Sequence, residues 1–164
     1  MSATQESSSR NPLRLLMHVP VPWVFVVVYL AGVGLEYVWP THGVIATLAG
    51  VRLVGAALFC IGAMLAGWGL LTFRRARTTT VPGQASTHLV TSGAHRLSRN
   101  PMYAGLILAY VGEAGILRQV WPILLLPLIV AYLNWVVIPV EERKLMEVFG
   151  EAYKQYRARV RRWL

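Results

Sequence analysis

The sequence is poor in cysteine, in acidic residues and in charge overall. Cys60 is the single cysteine of 164 residues, which excludes an internal disulfide framework and a thiolate metal site. Because it lies inside an apolar block, we expect a buried, inert thiol. Seven residues are acidic, sixteen are lysine or arginine, and charged residues make up only 14% of the chain. So little charge argues against a soluble domain.

Long apolar blocks stand where a soluble protein would have charge. Hydrophobic residues make up 55% of the chain, and its mean hydropathy is +0.50. They form continuous blocks and not the alternating pattern of a soluble core, which predicts an all-α integral membrane protein. The length predicts one small domain over 1–164, and we expect no soluble nucleotide-binding fold beside it.

The blocks predict four transmembrane helices in two hairpins. The expected spans cover residues 20–39, 44–73, 101–117 and 121–140. The hairpins, 20–73 and 101–140, leave an N-terminal segment at 1–19, a polar loop at 74–100 and a tail at 141–164. Apolar residues recur in the tail with helical spacing, between lysines and arginines, which predicts an amphipathic helix along the membrane surface. Alternatively, the tail folds back over the loop as a lid.

The basic residues predict how the chain lies in the membrane. Fourteen of the sixteen fall in the N-terminal segment, the loop and the tail, and only Arg52 and Arg118 lie near the two short turns. Basic residues favour the cytoplasmic side. We therefore expect both termini and the loop to be cytoplasmic, in the inner (plasma) membrane. The net charge of +9 would then face anionic headgroups, with no nucleic-acid partner.

Polar and charged residues gather where two of the expected spans begin and end. Arg99-Asn100-Pro101-Met102-Tyr103 opens the third span, and Glu141-Glu142 follows the fourth. The short turn between these spans predicts an antiparallel hairpin, so the two motifs are expected to meet. Charged groups are costly beside hydrocarbon and mark functional sites. We expect one site there, suited to a charged cofactor and an apolar acceptor.

The small residues of the second span have two alternative interpretations, close helix packing and the approach of a ligand. The pairs Gly62/Ala66 and Ala63/Gly67 have small-xxx-small spacing, which predicts close packing against another helix. The alternative is that Gly67-Trp68-Gly69 lets a ligand approach the backbone.

The loop before the third span is long and polar, and long ordered loops are usually functional. Its second half, 87–100, combines hydroxyls, imidazoles and guanidiniums. No acidic residue lies near His88 or His95 in the sequence, so the sequence does not indicate a nucleophilic triad. These two histidines also lack the spacing and additional ligands of a zinc site, and we expect no metal.

Several motifs from Thr78 onward carry a resemblance to a known group of enzymes. They are His88-Leu89-Val90-Thr91-Ser92-Gly93, Arg99-Asn100-Pro101-x-Tyr103-x-Gly105, Glu141-Glu142, and Leu145 with Phe149-Gly150-x-x-Tyr153-x-x-Tyr156 and Val160-x-Arg162. In this order they resemble the integral membrane methyltransferases that include isoprenylcysteine carboxyl methyltransferases and phosphatidylethanolamine N-methyltransferases.

The resemblance implies S-adenosylmethionine-dependent methylation, with S-adenosylhomocysteine as product. The implied acceptor is a membrane lipid or a lipidated small molecule. The cofactor-binding residues implied are Thr87, His88, Leu89, Val90, Gly93, His95, Arg99, Asn100, Pro101, Met102, Tyr103, Glu141 and Glu142. Among them, Asn100, Tyr103 and Glu142 are the implied catalytic residues. Gly67-x-Gly69 resembles a cofactor element of the phospholipid branch.

The chemistry of this cofactor fits these residue types. An acid can pair with its α-ammonium group, Arg96 or Arg99 with its α-carboxylate, and the Tyr103 ring can face its sulfonium. A carboxylate or thiolate acceptor needs no base, whereas an ammonium must first lose a proton, for which Glu142 is the candidate.

The resemblance leaves the acceptor open. Isoprenylcysteine enzymes have Arg-His-Pro where this chain has Arg99-Asn100-Pro101, and an arginine where Val137 stands. The Asn-Pro-Met-Tyr form is typical of the phospholipid enzymes. An isoprenylcysteine carboxyl methyltransferase-like enzyme and a phospholipid amine N-methyltransferase both remain expectations.

Two alternatives come from other classes. Sterol reductases share an Arg-x-Pro-x-Tyr motif and bind NADPH, but they are much larger and have Arg-Asp-Glu in place of Glu141-Glu142. A non-enzymatic membrane scaffold would account for the small residues and the tail. It would not account for polar groups held at helix ends.

Overall fold

The computed structural model describes residues 20–41, 49–76 and 88–164, and within these ranges every regular element is helical. The chain order is α1 (Val21–Val38), α2 (Val51–Arg75), a 3-10 turn (Gly93–Arg96), α3 (Pro101–Leu117), α4 (Trp121–Tyr132), a π-helical segment (Leu133–Val137) and α5 (Ile138–Arg159). Residues 77–87 of the 74–100 loop, with Thr87 among them, and the N-terminal segment at 1–19 lie outside the described residues.

Three of the described helices are long and apolar enough to cross a membrane. They are Val21–Val38, Val51–Arg75 and the continuous helix Trp121–Arg159. This confirms an all-α integral membrane protein. The fourth apolar helix, Pro101–Leu117, has 17 residues and is about 25 Å long at 1.5 Å per residue, somewhat shorter than the roughly 30 Å hydrocarbon core. A count of four full spans therefore stays a prediction.

The last helix differs from the expected separation of span and tail. The chain stays helical from Trp121 past residue 140 as far as the kink at Gly150, so the first part of the tail continues the fourth apolar block. The predicted position of the tail along the membrane surface stays a prediction. The π-helical turn precedes Pro139, whose ring would meet the carbonyl of residue 135 in a regular α-helix. Gly150, with φ 48° and ψ −119°, interrupts the helical geometry and kinks the helix.

Helices α2 and α3 pack through glycines at near-backbone distance. A Cβ added to Gly62 would overlap the backbone of Gly105 and Ala109, and one added to Gly55 would lie 2.8 Å from the Gly112 carbonyl oxygen. A Cβ on Gly105 would in turn lie 2.5 Å from Ala66 N, so the Gly62/Ala66 prediction is confirmed.

The second predicted small-residue pair does not pack. Ala63 is exposed, and a Cβ on Gly67 would have no described atom within 4 Å. Cys60 is also exposed, so the expected buried thiol is wrong. The reason is the helical register, because Gly55, Gly62 and Ala66 lie toward α3 at steps of seven and four residues, and Cys60 lies on the outer face with Ile61 and Met64.

Helix α1 packs on the other side of the bundle, against α3 and α4. Val21, Phe25 and Tyr29 form one buried cluster with Tyr110, Ala114, Ile129 and Leu133. The Tyr110 ring meets those of Phe25 and Tyr29 edge to face, and its hydroxyl donates to the Pro122 carbonyl at 3.0 Å. This core joins α1 to the hairpin of α3 and α4, and the continuation of α4, helix α5, begins beside Tyr103 of α3.

Candidate functional site

Tyr103 and Glu141 meet at the end of the bundle where α3 begins. Pro101 is the first residue of α3, where a missing N–H leaves nothing unsatisfied, and Tyr103 lies in the same turn. The Tyr103 hydroxyl donates a hydrogen bond to Glu141 Oε1 at 2.7 Å. The prediction that the two polar motifs meet is therefore confirmed.

Glu142 lies between two arginines. Arg99 NH1 is 3.1 Å from its Oε1, and each of these two side chains is only 11% exposed. Arg162 binds the same carboxylate with two nitrogens, NH2 at 2.7 Å from Oε2 and Nε at 3.2 Å from Oε1. Glu142 therefore links the segment before α3 to the segment that follows α5 through two arginines, and its expected role as a general base stays a prediction.

Asn100 is held by the end of the described chain. Its Nδ2 donates to the Arg162 carbonyl at 3.1 Å, and Ser98 Oγ donates to the same oxygen at 3.0 Å. The backbone N–H of Arg99 donates to the Arg161 carbonyl at 2.8 Å. The expected catalytic amide thus serves here as a link between two segments.

Sequence reasoning missed the residues that complete this link. Trp163 Nε1 donates to Asn134 Oδ1 at 3.1 Å, and Ser98 is fully buried. Asn134 is a polar residue inside the apolar fourth block, which is the one signal that could have drawn attention to it. Ser98 carries no such signal, because its role depends on where residues 160–163 return.

The 3-10 turn brings His95 against α2 and α5. Its ring lies edge to face with Phe73, with centroids 4.8 Å apart, and its carbonyl accepts a hydrogen bond from the Tyr156 hydroxyl at 2.8 Å. The contact from Tyr156 supports the alternative in which the tail folds over the loop. Burial lowers the pKa of His95 to about 4, so the imidazole is neutral at pH 7.

Gly93 begins this turn in a left-handed conformation, with φ 58°. A Cβ here would lie 2.8 Å from Thr72 Oγ1 and 3.3 Å from Trp68 Nε1. Glycine is therefore required here because its backbone lies close to α2, which is part of the protein itself. Gly69 likewise packs on Met102, whose Cγ would be 2.7 Å from an added Cβ.

The remaining predicted residues differ in exposure. Val90 and Pro101 are buried, Leu89 and Met102 are half-buried, and His88 is exposed. Within the described ranges, no group of three or more His, Cys, Asp or Glu side chains could hold a metal ion.

Four buried nitrogens lack a hydrogen-bond partner among the described residues, namely His95 Nδ1, Arg99 Nε, Arg99 Nη1 and Arg118 Nε. Arg99 Nη1 lies 3.1 Å from Glu142 Oε1 in an ion pair, and Arg118 follows the other end of α3, so His95 Nδ1 and Arg99 Nε are the two at this site. Buried polar atoms are nearly always hydrogen-bonded, so each is suited to a ligand group. A guanidinium N–H suits a carboxylate, and the Glu141 carboxylate suits an ammonium group. The Arg99 guanidinium and the Glu141 carboxylate together therefore fit a ligand with an amino-acid moiety.

Comparison with known proteins gives the family. The model of a family described as phospholipid methyltransferase matches residues 51–152. The chain belongs to this family. The matched region begins at α2 and includes Tyr103, Glu141 and Glu142, so the resemblance to membrane methyltransferases is confirmed. No curated protein and no solved structure matches the chain.

Membership in the phospholipid methyltransferase family supports a membrane methyltransferase. It favours neither the reductase nor the scaffold alternative. It also does not separate carboxyl methylation from amine methylation, since the resemblance extends to both branches.

Proposed function

We propose that this protein is an S-adenosylmethionine-dependent methyltransferase that acts on a lipophilic acceptor within the membrane. The observation that carries the proposal is the 2.7 Å hydrogen bond between Tyr103 and Glu141, at the end of the bundle and inside the region that matches the methyltransferase family. A buried carboxylate beside a tyrosine ring offers both an anion and an aromatic face to a cationic ligand.

Each proposed cofactor contact uses a group described above. The Glu141 carboxylate pairs with the α-ammonium group, Arg99 Nε binds the α-carboxylate, and the Tyr103 ring faces the sulfonium. His95 Nδ1, neutral and buried, accepts a hydrogen bond from the nucleoside part. The predicted contacts of Thr87, His88, Leu89, Val90, Gly93 and Met102 belong to the same proposal. When bound, the cofactor supplies an electrophilic methyl group.

Alignment supplies most of the acceleration in this proposal. Residues from α3 and α5 hold the cofactor, and the acceptor approaches the methyl group from the bilayer side, in line with the bond that breaks. A dry, positioned site needs no covalent intermediate for such a transfer. Because two arginines bind Glu142, an acceptor with no proton to lose suits this site.

The first candidate acceptor is therefore a carboxylate or thiolate on a lipidated small molecule, as in isoprenylcysteine carboxyl methyltransferases. A phospholipid amine is the second candidate, because the resemblance extends to the phospholipid N-methyltransferases. For that acceptor the candidate base is Glu142, which would have to loosen one of its two ion pairs, or a group on the acceptor itself.

The proposed orientation places the site at the cytoplasmic side. Arg99 and Arg162 lie in the site, and they belong to the fourteen basic residues that the positive-inside rule assigns to that side. We propose the inner (plasma) membrane, with both termini and the 74–100 loop cytoplasmic.

Calorimetric titration of the purified protein in detergent tests the cofactor. We expect binding of S-adenosylmethionine and S-adenosylhomocysteine and none of NADPH. The proposal fails if neither sulfur compound binds at millimolar concentration, and binding of NADPH alone would favour the reductase alternative.

Methyl transfer to membrane lipids tests the acceptor. Membranes that contain the protein are incubated with methyl-labelled cofactor, and the labelled lipids are treated with base. A methyl ester releases labelled methanol, whereas an N-methyl group keeps its label. Release would support the first candidate, retention the second, and no incorporation into lipid would contradict both.

A further inference from the structure

The last residues of the chain return across the site. Backbone φ and ψ of −118° and 131° at Val160 end α5 and turn the chain into an extended segment. We refer to residues 160–163 as the C-terminal segment. It binds the start of α3, the start of α5 and the π-helical segment, three parts of the molecule that are far apart in sequence.

Arg162 makes the largest share of these contacts. Its guanidinium binds both oxygens of Glu142, at 2.7 and 3.2 Å. Its carbonyl accepts hydrogen bonds from Ser98 Oγ and Asn100 Nδ2, at 3.0 and 3.1 Å. Arg162 thus joins the two parts of the chain, at the starts of α3 and α5, that carry Tyr103 and Glu141.

Trp163 anchors the segment at its other side. Its ring nitrogen donates to Asn134 at 3.1 Å, and the ring packs against the buried cluster of α1, α3 and α4. The segment therefore cannot lift from Glu142 without losing apolar contact and a hydrogen bond inside the bundle.

We propose that Arg162 is a positioning residue of this site. By binding Glu142 and the Ser98–Asn100 turn together, it holds the first turn of α3 against α5, so that Tyr103 stays in hydrogen-bond contact with Glu141. The proposal rests on the proposed function only where ligand affinity is the readout. The positioning itself is a property of the free protein.

The test compares Arg162→Gln with Arg161→Gln. The two arginines are neighbours and the change in charge is the same, but the Arg161 side chain is exposed, and the contact of this residue with the site is made by its carbonyl, at Arg99 N. Hydrogen–deuterium exchange of the amides of 98–103 is measured on intact protein in detergent. We expect Arg162→Gln to raise exchange there about tenfold or more, and Arg161→Gln to leave it unchanged.

Affinity for S-adenosylhomocysteine is the second readout. We expect Arg162→Gln to weaken binding by about tenfold to a hundredfold, since loss of positioning acts on every contact in the site. Arg162→Lys should recover part of this affinity, because an ammonium restores the charge but not the two-nitrogen geometry. If Arg162→Gln fails to fold, the lysine variant carries both measurements.

A double-mutant cycle with Glu142→Gln separates positioning from general destabilisation. If Arg162 acts through Glu142, the two losses of affinity should be far from additive, whereas independent effects would add. Additive losses would overturn the proposal.

The remaining outcomes are also decisive. Equal exchange at 98–103 in both arginine variants would overturn the proposal whether or not the wild-type protein binds the cofactor. If the wild type binds no S-adenosylhomocysteine but Arg162→Gln alone raises exchange, the proposed function fails and the positioning role stands.

Discussion

The glycine interface of α3 and its polar N-terminal end are held in different ways. Along its length, α3 meets α2 through glycines whose backbones nearly touch, as at Gly55 and Gly112 and at Gly62 and Gly105. At its N-terminus it is held in addition by side chains, through Tyr103 to Glu141 and Arg99 to Glu142. The glycine interface contains no group that a ligand could use, whereas the polar end contains carboxylates, guanidiniums and an imidazole. The polar groups that could bind a ligand therefore lie at the N-terminal end of α3, apart from the closely packed glycines.

The first and largest expected effect concerns the glycine interface. Gly62→Leu places a side chain into the backbone of α3, and we expect a loss of stability of about 3 kcal/mol or more, since overpacking forces backbone shifts. Thermal unfolding in detergent measures it. Gly67→Leu is the matched control on the same helix, because an added Cβ there has no described atom within 4 Å. Equal destabilisation by both variants would contradict the close packing of α2 and α3.

The second effect is a pH dependence at the polar end. The folded pKa of His95 is about 4, below the unfolded value of roughly 6.5. Between these values the unfolded chain carries a proton on this imidazole and the folded chain does not, so the free energy of unfolding decreases as the pH falls. The contribution of neutral, buried His95 to that free energy is complete above pH 6.5 and is lost as pH falls toward 4. The difference corresponds to about 3 kcal/mol.

The variant His95→Gln should flatten this part of the stability profile. The measurement is the unfolding temperature of wild type and variant from pH 4 to 7. His88→Gln, at an exposed position, serves as the control and should keep the wild-type slope. A wild-type slope in the His95 variant would show that another group causes the dependence.

The third effect concerns ligand affinity. Glu141→Gln removes the negative charge proposed to bind the α-ammonium group, and we expect S-adenosylhomocysteine to bind about tenfold to a hundredfold more weakly, as a charge-assisted hydrogen bond contributes about 1.5–3 kcal/mol. Calorimetric titration measures the change. Glu147→Gln, on the exposed side of the same helix, should bind like the wild type, and equal losses in both variants would mean that the site is elsewhere.

The smallest effect concerns the anchor of the C-terminal segment. Trp163→Phe keeps an aromatic ring but removes the hydrogen bond to Asn134, and we expect a loss of stability of about 1 kcal/mol. Asn134→Leu should cost about the same, with no further loss in the double variant. Additive losses in thermal unfolding would show that the two side chains act separately.

Much of the fold was predictable because the membrane imposes a simple rule. Apolar blocks predicted the helices, and the turn at Arg118 predicted that Tyr103 would approach Glu141. The Gly62/Ala66 spacing predicted a packed face. The helix that continues past residue 140 was not predicted. The sequence changes there from apolar to charged residues, which predicts a boundary, but backbone hydrogen bonds continue across this change.

The individual roles at the site were less predictable. The catalytic roles expected of Glu142 and Asn100 stay predictions. Their contacts with the guanidinium and carbonyl of Arg162 were not predicted. Cys60 was expected inside the bundle and lies outside it. A residue type indicates which chemistry is available, but the partner that uses it depends on the return of a distant segment.

The sequence by itself determined that this is a helical membrane protein of the phospholipid methyltransferase family, because hydropathy and motif order are local properties of the chain. Only the tertiary structure decided that Glu141 has a tyrosine beside it while Glu142 is held by two arginines. The physical reason is that two adjacent carboxylates on a helix point in different directions. Which of them meets a cation and which meets a ligand depends on the elements packed around each.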